Sequence, residues 1–161
     1  MGSSRRRRTR SAWRFHPSID GRQRSCAPAG PGAYLGRVSN IRLGAVSLDC
    51  ADPGPLATFW ADLLGGEILF VREEIGVVKL DHVLLTAMRV EDFTAPSWPV
   101  GSVPKQAHLD LEVDDLDDAE RRAVSLGAVR ARSQPEPEGH LVLLDPAGHP
   151  FCVSLSANFP R

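Results

Sequence analysis

Two stretches decide the fold: Ala45-Val46-Ser47-Leu48-Asp49-Cys50-Ala51-Asp52-Pro53, and, further along, Gln106-Ala107-His108-Leu109-Asp110-Leu111-Glu112-Val113-Asp114-Asp115. Each alternates with period two, as a half-buried strand does, and each ends in residues that cap a helix. After the first, Leu56, Phe59, Trp60, Leu63 and Leu64 recur at helical spacing, and Gly65-Gly66 supplies a left-handed stop. After the second, Leu116, Ala119, Ala123 and Leu126 form the stripe and Gly127 ends it. Gly65 and Gly127 stand 62 residues apart, and the leading strands are offset by about the same amount.

Short strands are predicted behind each helix, bounded by turn residues. In the first unit they fall near 67–71, 77–80 and 83–90; in the second near 128–133, 141–144 and 151–155. The chain therefore reads βαβββ twice, as modules 41–93 and 105–157 joined by a Pro-rich linker over 94–104.

Outward from this domain, residues 1–40 carry nine Arg and one Asp, a net of +8, while residues 41–161 carry a net of −9. The whole chain is thus almost neutral although its halves are not. The basic segment has Arg5-Arg6-Arg7-Arg8, scattered Pro and Gly and no apolar periodicity, which predicts a disordered arm. Its paired arginines lack the hydrophobic stretch that an export signal needs. Val38 stands where the domain would begin, and a valine is how a GTG start codon reads when translated through from upstream. The expectation is that residues 1–37 are dispensable and not part of the natural protein; an anionic-surface contact is the alternative. The acidic domain itself should repel nucleic acid and anionic membrane.

Hydrophobic residues make up 42% of 161 residues, enough for a buried core, and no apolar run approaches a membrane span. Cys26, Cys50 and Cys152 are odd in number and lack a CxxC spacing, which predicts reduced thiols in a cytoplasmic protein. A phosphate-binding Gly-rich loop, a Gly-x-Ser-x-Gly elbow and a His-Glu-x-x-His helix are all absent from the sequence.

The repeat, with Asp49-Cys50-Ala51-Asp52-Pro53, Leu56-Ala57-Thr58-Phe59-Trp60, Leu63-Leu64-Gly65, His108-Leu109-Asp110-Leu111, Leu126-Gly127-Ala128 and Asp145-Pro146-Ala147-Gly148, resembles the glyoxalase/bleomycin-resistance (vicinal oxygen chelate) superfamily. The resemblance covers residues 41–156. It implies an α+β fold in which each βαβββ module curls into half of an open barrel and a ligand sits in the cup between the halves. Alternation assigns the faces independently: Val46, Leu48 and Cys50, Leu109, Leu111 and Val113, and Phe151, Val153 and Leu155 should pack under the helices. Ala45, Ser47 and Asp49, His108, Asp110 and Glu112, and Cys152, Ser154 and Ser156 are left for the cup.

Metal enzymes of the superfamily hold a divalent ion with one side chain from each of four strands. Carried over, those places fall on Ala45, about Leu84, His108 and Cys152. Ala45 and Leu84 have no donor atoms, so the resemblance implies a cup without a complete metal site and without a cofactor, and a purified protein free of stoichiometric transition metal. The leading expectation is a small-molecule-binding protein whose cup is lined by Ser47, Met88, Trp98, His108, Asp110 and Cys152, and which sequesters a compact organic ligand. His108 is the candidate catalytic residue of the alternative, a His-based or metal-dependent lyase or dioxygenase. A dimerising interaction module is the third reading, since open module edges favour a homodimer. Trp98, between Pro96 and Pro99, is either a lid over the cup or cover for a core edge. Trp60 is expected in the core, and His140 and His149 at solvated turns.

Overall fold

The computed structural model describes residues 42–159; the expected basic arm and the start at Val38 lie outside them. In the first module β1 (Ala45–Cys50), α1 (Pro53–Leu64), β2 (Glu67–Val71), β3 (Ile75–Lys79) and β4 (Leu84–Arg89) follow one another. The second repeats the order with β5 (Asp110–Val113), α2 (Leu116–Ser125), β6 (Val129–Arg130), β7 (His140–Leu144) and β8 (Pro150–Leu155). Each module forms a four-stranded mixed sheet with the same strand order, β1-β4-β3-β2 and β5-β8-β7-β6. The leading strand lies parallel to the last one and the remaining pairs are antiparallel. This is the α+β, two-module arrangement that the repeat predicts.

Local chemistry sets the helix ends. Asp52 is extended and its carboxylate accepts the Gly54 N–H at 3.0 Å, while Pro53 opens α1 where no amide hydrogen is needed. Gly65 takes φ 67°, a left-handed turn that side chains resist, and ends the helix. In α2 the Asp115 carboxylate accepts the Asp118 N–H at 2.8 Å. Close packing needs glycine at Gly76, where an added Cβ would lie 2.7 Å from the Ala57 Cβ, so α1 rides directly on β3.

The helix stripe of α1 is the centre of the core. Leu56, Phe59 and Trp60 are almost completely buried, and Phe59, Trp60 and Phe151 meet edge to face with centroids 5.1–5.9 Å apart. Phe151 comes from β8, so one aromatic cluster joins the two modules. Cys50, Val78, Leu85, Ala123, Leu141, Leu143 and Val153 belong to the same core. Leu48, Leu109, Leu111 and Val113 pack against it as the alternation requires, and Val46 and Leu155 are half-buried.

Two strands are shorter than the sequence suggests. The run from Gln106 pairs only from Asp110, because residue 108 would stand opposite Pro150, which has no N–H to give; the last backbone bond is Cys152 N–H to the Leu109 carbonyl at 2.9 Å. The expected strand over 128–133 shrinks to Val129–Arg130. Beyond Ala131 the Gln134 side chain takes over the ladder, accepting the Val142 N–H at 2.9 Å and donating to the carbonyls of Val142 and Ala131 at 2.8 and 2.9 Å. No helix among the described residues is long and apolar enough to cross a membrane.

Candidate functional site

The faces opposite the helices hold the polar residues. On the first sheet, Ser47 stands beside Thr86 in register, and its Oγ accepts a 2.7 Å hydrogen bond from the Thr86 hydroxyl; Met88 follows two residues further on β4, beside Asp49. A cavity of about 340 Å³ lies here, bounded by Ser47 and Asp49, by Phe93, Pro96 and Val103 of the linker, and by Gln106, Ala107 and His149. Both modules contribute to it.

The second sheet carries more chemistry. Asp110 on β5 and Cys152 on β8 are direct neighbours in the parallel register, and His108 lies two residues before Asp110, ahead of the paired strand. His108 Nε2 is 3.1 Å from Asp110 Oδ2, and the Cys152 thiol lies beside the Asp110 carboxylate. One donor atom from each of His108, Asp110 and Cys152 lies within 4.8 Å of the others. Lys105 Nζ contacts His108 Nδ1. An ammonium can only donate, so Nδ1 is the acceptor and Nε2 carries the hydrogen given to Asp110. Burial, together with the Asp110 carboxylate, pushes the Cys152 thiol above its ordinary pKa, which keeps it protonated and weakly nucleophilic at neutral pH.

Trp98 covers this face, packing with Leu144 against Ala131, Val142 and Cys152. Lys105 sits over its ring at 5.8 Å. The linker is closed upon itself here, since Ser97 N–H reaches the Val103 carbonyl at 2.7 Å and the Ser97 hydroxyl accepts the Val103 N–H at 3.0 Å.

The structure thus groups Trp98, His108, Asp110 and Cys152, and places Ser47 and Met88 on the other sheet. Two expectations need correction. His149 is not simply a solvated turn residue: its Nε2 is 2.6 Å from the Asp49 carbonyl and its ring lies 5.5 Å from Phe93, so it ties the β7–β8 turn to the first module. His140 opens β7 rather than lying in a turn. Lys105 was missed altogether, since a single lysine among prolines in a linker has no periodic signal. Asp145 was read only as part of a turn motif. It is 3% exposed, accepts the N–H groups of Ala147 and His149 at 3.0 and 2.9 Å, and accepts Trp60 Nε1–H at 3.2 Å. Desolvation is the largest influence on its carboxyl and lifts its pKa above the ordinary range, against the pull of these donors and of His149.

A larger hollow, about 750 Å³, lies on the helical side between Leu63-Leu64 and α2, with a rim of Asp114, Asp115, Asp118, Arg121 and Arg122. It is an open groove with no imidazole or thiol. The chemistry lies on the other side.

Residues 45–154 match the family model of the glyoxalase-like domain, and the chain belongs to that family. Solved structures share the fold. A glyoxalase-related enzyme from Fulvimarina pelagi is similar with a TM-score of 0.56 at 19% identity, over 74% of this chain and 91% of that one. A glyoxalase/bleomycin resistance protein/dioxygenase family enzyme from Burkholderia phytofirmans PsJN gives 0.55 at 15%, over 71% and 98%. The fosfomycin resistance protein FosX from Mesorhizobium loti gives 0.55 at 14%, over 74% and 94%. No curated protein matches the sequence.

The four-strand metal site that the resemblance implies does not fit this chain. Ala45 and Leu84 face each other in the β1–β4 register and neither has a donor atom. The first module therefore has nothing to give an ion at those places.

Proposed function

We propose that this domain binds a compact organic molecule on the side of its sheets away from the helices, with no metal ion bridging the two modules. The grouping of Trp98, Lys105, His108, Asp110 and Cys152 carries this reading: a rigidly held aromatic surface beside a line of hydrogen-bonding groups is what fixes and orients a small ligand. Ser47 and Met88, beside the 340 Å³ cavity and on the neighbouring strand, extend the surface toward the first module. Sequestration of a toxic or antibiotic compound is the role this reading favours. The acidity of the domain speaks against nucleic acid or anionic membrane as its partner, and its reduced thiols suit the cytoplasm.

The test is a thermal-shift screen of compact hydrophobic and weakly polar compounds against the full chain and Trp98→Ala. A compound binding only the native state raises the melting temperature, by about 2.7 kcal/mol of stability at a hundredfold excess over its dissociation constant. The expected outcome is at least one compound that shifts the wild type and not the variant. A screen without any such shift would remove the binding reading and promote a dimerising module.

One observation favours a second reading of the same site. Asp110 orients the His108 ring, and once Lys105 turns away from Nδ1 that nitrogen is free to act as a general base; turnover of a bound compound that disappears in His108→Ala would make the domain an enzyme. A homodimer is also proposed, since β2 is an edge strand whose Ile68, Leu69, Phe70 and Val71 are 40–45% exposed. Sedimentation of the full chain at twice the monomer mass would support it.

A further inference from the structure

We infer that the second module holds a transition-metal site of its own, with His108, Asp110 and Cys152 as its three protein ligands and Zn²⁺ as the ion it best fits. The inference goes beyond organic-ligand binding and does not depend on it. Counting donors at the superfamily's places leaves two in this module, too few for a stable site. The structure adds a third from outside those places, because Asp110 lies next to Cys152 in the β5–β8 register and 3.1 Å from His108 Nε2. Asp110 thereby changes the arithmetic that predicts a metal-free protein.

The donor atoms are confined to a sphere that an ion can span. All lie within 4.8 Å of one another, while donors around a tetrahedral zinc ion, with bonds of about 2.0–2.3 Å, stand roughly 3.3–3.7 Å apart. An imidazole, a carboxylate and a thiolate together suit a borderline ion and exclude Mg²⁺ or Ca²⁺, which require oxygen ligands throughout. The scaffold is stiff, since Asp110 and Cys152 stand on paired strands and Cys152 is 6% exposed. The Asp110 side chain is 51% exposed, which leaves the site a path to solvent. Three protein ligands with one open position is the pattern of a reactive rather than a structural site. Binding would displace the Cys152 thiol proton and release it to solvent.

Lys105 is the resident competitor. Its ammonium sits on His108 Nδ1 and places a positive charge beside the site. With the ion on Nε2, the neutral imidazole would carry its hydrogen on Nδ1 and would no longer accept from Lys105. The lysine must turn away for the ion to bind, so its removal should tighten binding.

The test uses chelator-stripped full chain, titrated with Zn²⁺ and, for an optical signal, Co²⁺. The expected result is one equivalent per chain after dialysis, a rise in melting temperature with Zn²⁺, and a thiolate-to-cobalt charge-transfer band in the near ultraviolet. His108→Ala and Cys152→Ala should abolish the stoichiometric ion, and Cys152→Ala the charge-transfer band. Asp110→Asn, nearly isosteric and thus safe for folding, should weaken binding by at least about tenfold, the size expected when a metal site loses a supporting group. Lys105→Met should bind more tightly than the wild type. Failure of the wild type to retain an equivalent overturns the inference. So does unchanged affinity in Asp110→Asn, or a band that survives Cys152→Ala, which would place the ion on Cys26 or Cys50. Far-ultraviolet circular dichroism of each apo variant separates lost ligands from lost structure.

Discussion

The two modules share an element order and a strand order, yet they have divided the work between them. Shifted by the repeat spacing, Leu56, Phe59 and Trp60 of α1 correspond to Asp118, Arg121 and Arg122 of α2. The first helix is an apolar wedge under both sheets. The second buries only Ala123 completely and turns its charged side to water. The sheets are divided the other way. Opposite the helices the first sheet offers a serine, a threonine, a methionine and the Asp49 carboxylate, while the second adds an imidazole and a thiol to its carboxylate. Stability is concentrated in one copy and chemistry in the other, as a duplicated unit allows once a single core suffices for both.

That division can be broken most directly at Trp60. Trp60→Ala empties the centre of the aromatic cluster and should cost about 3–5 kcal/mol in urea or guanidinium unfolding. A loss below about 1 kcal/mol would show that α1 is not the shared wedge. The next effect is at Asp145, where alanine strands the Trp60 N–H and the N–H groups of Ala147 and His149. A charge-assisted network of this kind should cost about 2–3 kcal/mol when its acceptor is removed. A value near zero for Asp145→Ala would mean that water replaces the carboxylate at no cost and that its bond to Trp60 adds nothing to the joint between the modules.

Cys50 sharpens the comparison through pH. Burial, reinforced by the carboxylates of Asp52, Asp145 and Asp49, pushes its thiol up to about 11. The folded chain therefore keeps this proton where the unfolded chain has already lost it. Stability must fall as pH rises from the ordinary thiol range toward 11, and the fall should be shallower in Cys50→Ala. Equal slopes in the two proteins would show the thiol to be solvated. The smallest effect belongs to α2, where the exposed pair of Arg121 with Asp118 should contribute less than about 0.5 kcal/mol. Arg121→Ala costing as much as Trp60→Ala would reverse the division of labour.

Most of the fold was legible because period and punctuation were strong. Alternation placed Leu48 and Val153 inside and Ser47 and Cys152 on the opposite face, and Asp52, Gly65 and Asp115 marked the helix ends. Strand length was less legible. The end of β5 depends on a proline in another strand, and the end of β6 on a glutamine that substitutes for backbone, neither of which has a local signature. The site was half legible for the same reason. His108, Asp110 and Cys152 share a face by simple alternation, but their separation depends on the β5–β8 register. Lys105 and His149 reach their partners only through the folding of the linker and the β7–β8 turn, so nothing beside them in the sequence announces it.

The aromatic cluster has a consequence for how the chain comes apart. Phe151 lies near the end of the chain and Trp60 near the start of the domain, and each covers the other. A fragment holding the first module alone would expose Trp60, and the second alone would have no helix to bury Phe151. Although the sequence looks like one unit written twice, neither half is a foldon. Unfolding should proceed as a single cooperative transition, and separated halves should recover order only when mixed.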